Sequence, residues 1–141
     1  MPDRVIHVQV TGLEETKHVF QQLAMMAPRA LARGMYVEGE KIMTASKKEV
    51  PVDTGALMGT GRVIPPDPTA AEPEVKIVYG GPSGVTNPRT GEYVGYALWV
   101  HERLDQYHKP PRKAKFLEDP AKAAIPGMDE RIAAEMRKEL P

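Results

Sequence analysis

The residues of this chain that could do chemistry are few and scattered. Asp53-Thr54-Gly55 has the form of an aspartic-protease triplet, whose carboxylate must share a proton with a second carboxylate. No second triplet exists, so the expected structure is a turn in which Asp53 or Thr54 bonds the backbone and Gly55 adopts a conformation other residues resist. His101, Glu102 and His108 could meet on one loop as metal ligands, but with His7 and His18 they show no His-Glu-x-x-His spacing, and a stable site needs three or four converging ligands. A hydrogen-bonded loop histidine is the expected role, with no metal and no cofactor. Ser46 and Ser83 lack a neighbouring base and a Gly-x-Ser-x-Gly elbow. The glycines of residues 80–91 spell neither a phosphate loop nor a dinucleotide fingerprint. Catalysis is not expected.

Charge directs attention to one segment. The 19 basic and 19 acidic residues balance, so any electrostatic partner must meet a local patch. Lys109, Arg112, Lys113 and Lys115 form such a patch in a stretch without an anion, and could contact phosphates or an acidic neighbour. The bland alternative is solvated surface. Tyr96 and Trp99 could be interface anchors, although burial suits a lone tryptophan equally well. Absence of cysteine removes disulfides, thiolate chemistry and cysteine-ligated zinc. The N-terminus lacks the apolar run of a signal peptide, and no stretch has the length of a membrane span, so use in a cytoplasm is expected.

The elements that must position these residues divide the chain in two. Residues 4–10 alternate as a half-buried strand, and Thr11 and Glu14 have capping-box spacing for a helix start. A helix should follow to Ala27, with Val19, Phe20, Leu23, Ala24 and Ala27 as its apolar stripe, and break at Pro28. A longer helix should occupy residues 29–49, carrying Leu31, Met35, Ile42, Met43 and Ala45 near one side. Gly34 and Gly39 weaken it by about 1 kcal/mol each, which close approach of another element would explain. Residues 51–126 hold eleven of the fourteen prolines, so short pieces joined by fixed turns are expected, with strands at 60–64 and 74–80 and exposed loops at 65–73 and 80–92. Residues 93–100 are apolar without a deciding period. A final helix should start at Asp119-Pro120 and be interrupted near Pro126-Gly127, with Met128, Ile132, Met136 and Leu140 four apart.

Three islands stand out along this layout: Pro51-Val52-Asp53-Thr54-Gly55-Ala56-Leu57, Tyr96-Ala97-Leu98-Trp99-Val100-His101-Glu102, and Lys115-Phe116-Leu117-Glu118-Asp119-Pro120-Ala121. Each joins a tight backbone feature to apolar anchors, the pattern of loops held against a small core and presented to a partner. In this order and spacing, after two helices, they resemble the small head-to-tail joining, or tail-completion, proteins of long-tailed bacteriophages and prophages, often described as minor tail or neck components. The chain departs from that pattern where residues 103–108 intervene before Phe116.

The resemblance implies one domain over residues 1–141 with an α+β fold: a small antiparallel sheet, long helices packed on it, and long Pro/Gly-rich loops. It implies a non-enzymatic virion protein of the neck, assembled in the host cytoplasm as a ring around the DNA channel, a hexamer in preference to a dodecamer. Neighbours would be head-closure or connector proteins and the tail terminator or tail tube, with DNA passing through and no membrane partner. Asp53, Thr54, Gly55 and Leu57 would fix the turn after the long helix; Tyr96, Val100, His101 and Glu102 would shape the second loop; Phe116, Leu117 and Pro120 would anchor the C-terminal helix. Ring contacts, which must join unlike faces, are expected from the long helix, the two long loops and the C-terminal segment. The rival expectation is a small nucleic-acid-binding module using residues 109–115.

Overall fold

In the computed structural model, which describes residues 8–51, 55–80, 97–105 and 108–141, one helix dominates. This helix, α1, spans Leu13–Glu49, 37 residues and about 55 Å. The expected break at Pro28 does not occur. A proline inside a helix leaves the carbonyl four residues back without its donor; here that is Ala24, which is exposed like Pro28, so water can take its place. The expected capping box is also absent. Gly12, in a left-handed conformation (φ 82°), is the N-cap and no side chain caps it; Thr16 instead turns its hydroxyl back to the Gly12 carbonyl at 2.7 Å. Residues 4–7 of the expected first strand lie outside the described residues, and Val8 and Val10 are exposed without regular structure.

The C-terminal half of α1 is the spine of an α+β fold. On one side lies an antiparallel two-stranded sheet, β1 (Arg62–Ile64) and β2 (Lys76–Val78), with Val63 opposite Ile77. Both strands are shorter than expected; at the first, Thr60 is not strand but the last residue of a short helix, α2 (Ala56–Thr60). Gly55 caps α2 with φ 81°, the left-handed turn expected of it. On another side of α1 lies the C-terminal pair α4 (Glu118–Ala124) and α5 (Met128–Glu139), interrupted at 125–127 as expected, although α4 begins one residue before Asp119. Between sheet and α4 in the chain comes α3 (Ala97–Glu102). Among the described residues, no helix is long and apolar enough to cross a membrane.

Both glycines of α1 lie where another element presses against it. A methyl on Gly34 would sit 3.1 Å from the Ile132 carbonyl oxygen of α5, and one on Gly39 would sit 2.9 Å from Val63 Cγ1 and Val75 Cγ2 of the sheet side. Gly59 in α2 faces open space. Two substitutions of identical chemistry should therefore have opposite signs. Gly59→Ala should stabilise by about 0.5–1 kcal/mol through helix propensity. Gly39→Ala should destabilise by up to about 2 kcal/mol, because overpacking costs about 1–3 kcal/mol against that gain. Urea midpoints of the two variants check this; a stabilised Gly39→Ala would show that the sheet does not bear on α1.

Candidate functional site

The three islands meet at the C-terminal end of α1. Val50, Leu57, Val100 and Phe116 form one buried cluster, with Met58, Tyr79 and Leu117 packed against it. Phe116, 1% exposed, is the centre. The rings of Tyr79 and His101 stand edge-on to it at 5.1 and 5.0 Å, the favoured geometry for such pairs. Tyr79 is fixed from its other end by a 2.9 Å hydrogen bond with buried Ser46, which is the structural role of a serine that lacks a catalytic base. Asp53, Thr54, Tyr96 and residues 81–92 lie outside the described residues, as does the side chain of Trp99. Pro120 is buried at the start of α4.

A polar chain runs along the rim of this cluster. His101 takes the Glu118 backbone N–H at Nε2 (3.2 Å) and lies 2.7 Å through Nδ1 from the Glu102 carboxylate. The acceptor role at Nε2 puts the ring hydrogen on Nδ1, donating to Glu102. Its carbonyl accepts the Lys115 N–H at 2.8 Å. Lys115 has a left-handed backbone (φ 57°), which costs a non-glycine residue about 1–2 kcal/mol, and its ammonium bridges Glu102 (2.6 Å) and Glu118 (2.8 Å). Glu118 also pairs with Lys122 at 2.6 Å. The metal-ligand alternative for His101, Glu102 and His108 thus takes another form: the atoms that converge within 4.8 Å belong to His101, Glu102 and Glu118. The positive charge between the two carboxylates is Lys115 itself.

These pairs have a pH signature. Hydrogen bonds from Lys115 and Lys122 hold Glu118 down to about 2 from its ordinary 4.5, and Lys115 and His101 hold Glu102 below its usual range. A carboxylate depressed in the folded state contributes stability above its unfolded value and loses it as pH falls toward the folded one. The urea midpoint should therefore drop as pH falls from 4.5 to about 2. Glu118→Gln should flatten part of that drop; an unchanged slope would mean that these contacts do not persist in solution.

The basic segment is engaged within the chain. Arg112 directs its guanidinium to the carbonyls of Lys47 (2.7 Å) and Val50 (3.2 Å), closing the C-terminal turn of α1, where orphan carbonyls and the helix dipole favour a cation. The Lys113 N–H takes the Glu49 carbonyl at 2.8 Å, and its ammonium pairs with Asp119 at 2.6 Å. Lys109 is exposed. Three of the four cations expected at DNA or a partner thus have partners inside the fold.

Sequence reasoning misses a second arginine of this kind. Arg131 on α5 grips the carboxylate of Glu38 on α1 with both Nε and Nη2, and donates to the carbonyls of Pro126 and Ala124 at the end of α4. Glu38 is 3% exposed. Burial pushes its carboxyl up, but hydrogen bonds from Arg131 and Lys41 outweigh that and hold it below its usual range. The available signal is an acid in the stripe that also carries Gly34 and Ile42. Comparison with family models, with curated proteins and with solved structures gives no match for this chain.

Proposed function

We propose that this chain is a structural subunit of a long-tailed phage or prophage virion, forming a ring that joins head to tail at the neck and works without catalysis. The observation that carries the reading is the convergence of the three islands. Leu57, Val100 and Phe116, drawn from separate islands, share one buried cluster at the base of the long helix. Such a junction holds the flanking segments in place, as a subunit that presents loops to its neighbours requires. The polar groups around it do the same: His101, Lys115 and Arg112 tie backbone to backbone or helix to loop.

In this reading the residues at the junction set the shape of the subunit, and contacts to the next copy join unlike faces so that the ring closes. The neighbouring reading frames offer a first check, since portal, capsid and tail-tube genes are expected beside it. The decisive experiment is mass spectrometry and electron imaging of purified particles from the virus or induced prophage that encodes it. The protein should be present at the neck in ring stoichiometry; particles that lack it would overturn the reading.

A further inference from the structure

We propose that residues 4–10 of one copy of this chain add as a strand to the free edge of β1 in the next copy, a head-to-tail contact that rests, as a ring contact, on the function proposed above. Ile6, Val8 and Val10 alternate with His7 and Gln9, the period of a strand with one buried face. Yet residues 8–10 have no regular structure, and Val8 and Val10 are 81% and 64% exposed. Their own sheet is out of reach. It bears on α1 at Gly39, where an added methyl would touch Val63 and Val75, and from the cap Gly12 to Gly39 the helix runs about 40 Å. Fully extended, the chain from Gly12 back to Arg4 spans about 28 Å at most, and back to Val8 about 14 Å. While α1 is continuous, a sheet that this segment joins must belong to another chain.

The matching edge is on β1 of a second copy. Among the described residues, β1 makes no backbone hydrogen bond except to β2, so the donors and acceptors of its outer side are open to an added strand. The outer side of β2 is less open, since Val78 and Tyr79 line a hollow with His101, Glu102 and Phe116. Val63 faces α1, and its neighbours Arg62 and Ile64 are exposed. Val8 set beside Val63 therefore puts Ile6 and Val10 on the α1 side and His7 and Gln9 toward solvent. Charge does not oppose this register. Arg4 is the one charged residue of the segment and lies beyond the residues that pair, while the Arg62 guanidinium is held by the carbonyls of Thr60 and Gly80. A strand end and a sheet edge are unlike surfaces, so each copy gives one and receives one, as ring closure requires.

Disulfide trapping in the full chain tests the pairing, because the chain has no cysteine of its own. A chain carrying Ile64→Cys is mixed under mild oxidation with one carrying Gln9→Cys or His7→Cys, and mixed dimers are read by mass. With Val8 beside Val63, position 9 lies next to Ile64 if the strands are parallel and position 7 if they are antiparallel. One of the two mixtures should therefore give mixed dimer at least tenfold faster than Ile64→Cys with Thr44→Cys, a position on the exposed side of α1. Adding Val8→Asp and Val10→Asp to the N-terminal cysteine chain should return the rate to that background. Circular dichroism and thermal midpoint should stay unchanged, since both side chains are exposed in the single chain. Neither mixture above background, or a rate untouched by the two aspartates, would overturn the proposal. So would a chain carrying both cysteines that closes on itself as a monomer, which requires α1 to break. A neck ring in particles with no trapped pair would remove this contact and keep the proposed function; trapped pairs of a protein that particles lack would do the reverse.

Discussion

Phe116→Ala should cost the fold about 3–5 kcal/mol, the range for removing a fully buried aromatic side chain. Little around it can collapse into the space. Val50, Leu57 and Val100 come from three different segments, Tyr79 is held by Ser46, and the His101 ring is held at both nitrogens. Phe116→Leu, which keeps most of the volume, should cost about 1.5 kcal/mol or less, although it loses both edge-on ring contacts. Guanidinium or urea unfolding followed by circular dichroism measures both. A cost below about 1 kcal/mol for the alanine variant would show that the islands do not depend on one another, and the proposed function would lose its support.

The second large effect is expected at Arg131. Its replacement by methionine leaves Glu38 buried without its principal partner, and breaking a buried pair from one side ordinarily costs about 3–5 kcal/mol. Lys41 still reaches Glu38 at 3.2 Å, so about 2–4 kcal/mol is expected. The signs of two further measurements follow. In the wild type Glu38 is held below its ordinary 4.5, so its contribution is present above that unfolded value and declines as pH falls below it. In the variant the carboxylate is a burden that protonation relieves, so the deficit relative to wild type should shrink in acid. Combining Arg131→Met with Glu38→Leu should recover part of the loss, because no buried charge is left, while the carbonyls of Ala124 and Pro126 still lack their donor. A double variant no better than the single one would place the whole effect on that helix end.

What the sequence makes legible are features that combine a local backbone requirement with an apolar anchor. The three islands are recognisable because Leu57, Val100 and Phe116 each follow or precede a turn signal, and these side chains meet. The weak helix positions Gly34 and Gly39 announce close contact, and two different elements occupy those spots. Local rules fail where solvent or a distant residue decides the outcome. Pro28 forbids a continuous helix only if the carbonyl it strands is out of reach of water, and Ala24 is exposed. Thr11 has the spacing of a cap, but Gly12 makes the turn first. The cluster of cations at 109–115 is visible, but its acids, Glu102, Glu118 and Asp119, are assigned to it only by folding. Arg131 and Glu38 are 93 positions apart, and nothing local marks them as partners.

The closure of α1 by Arg112 has a consequence for how this protein is made. The guanidinium that takes the Lys47 and Val50 carbonyls lies 65 and 62 positions downstream. At a translation rate of about 5–20 residues per second, the ribosome needs roughly 3–13 s to supply it. During that interval only Pro51, which cannot donate to a further helical turn, keeps the growing helix from running on. The boundary is thus drawn twice, first by a neighbour during synthesis and then by a latecomer that seals it.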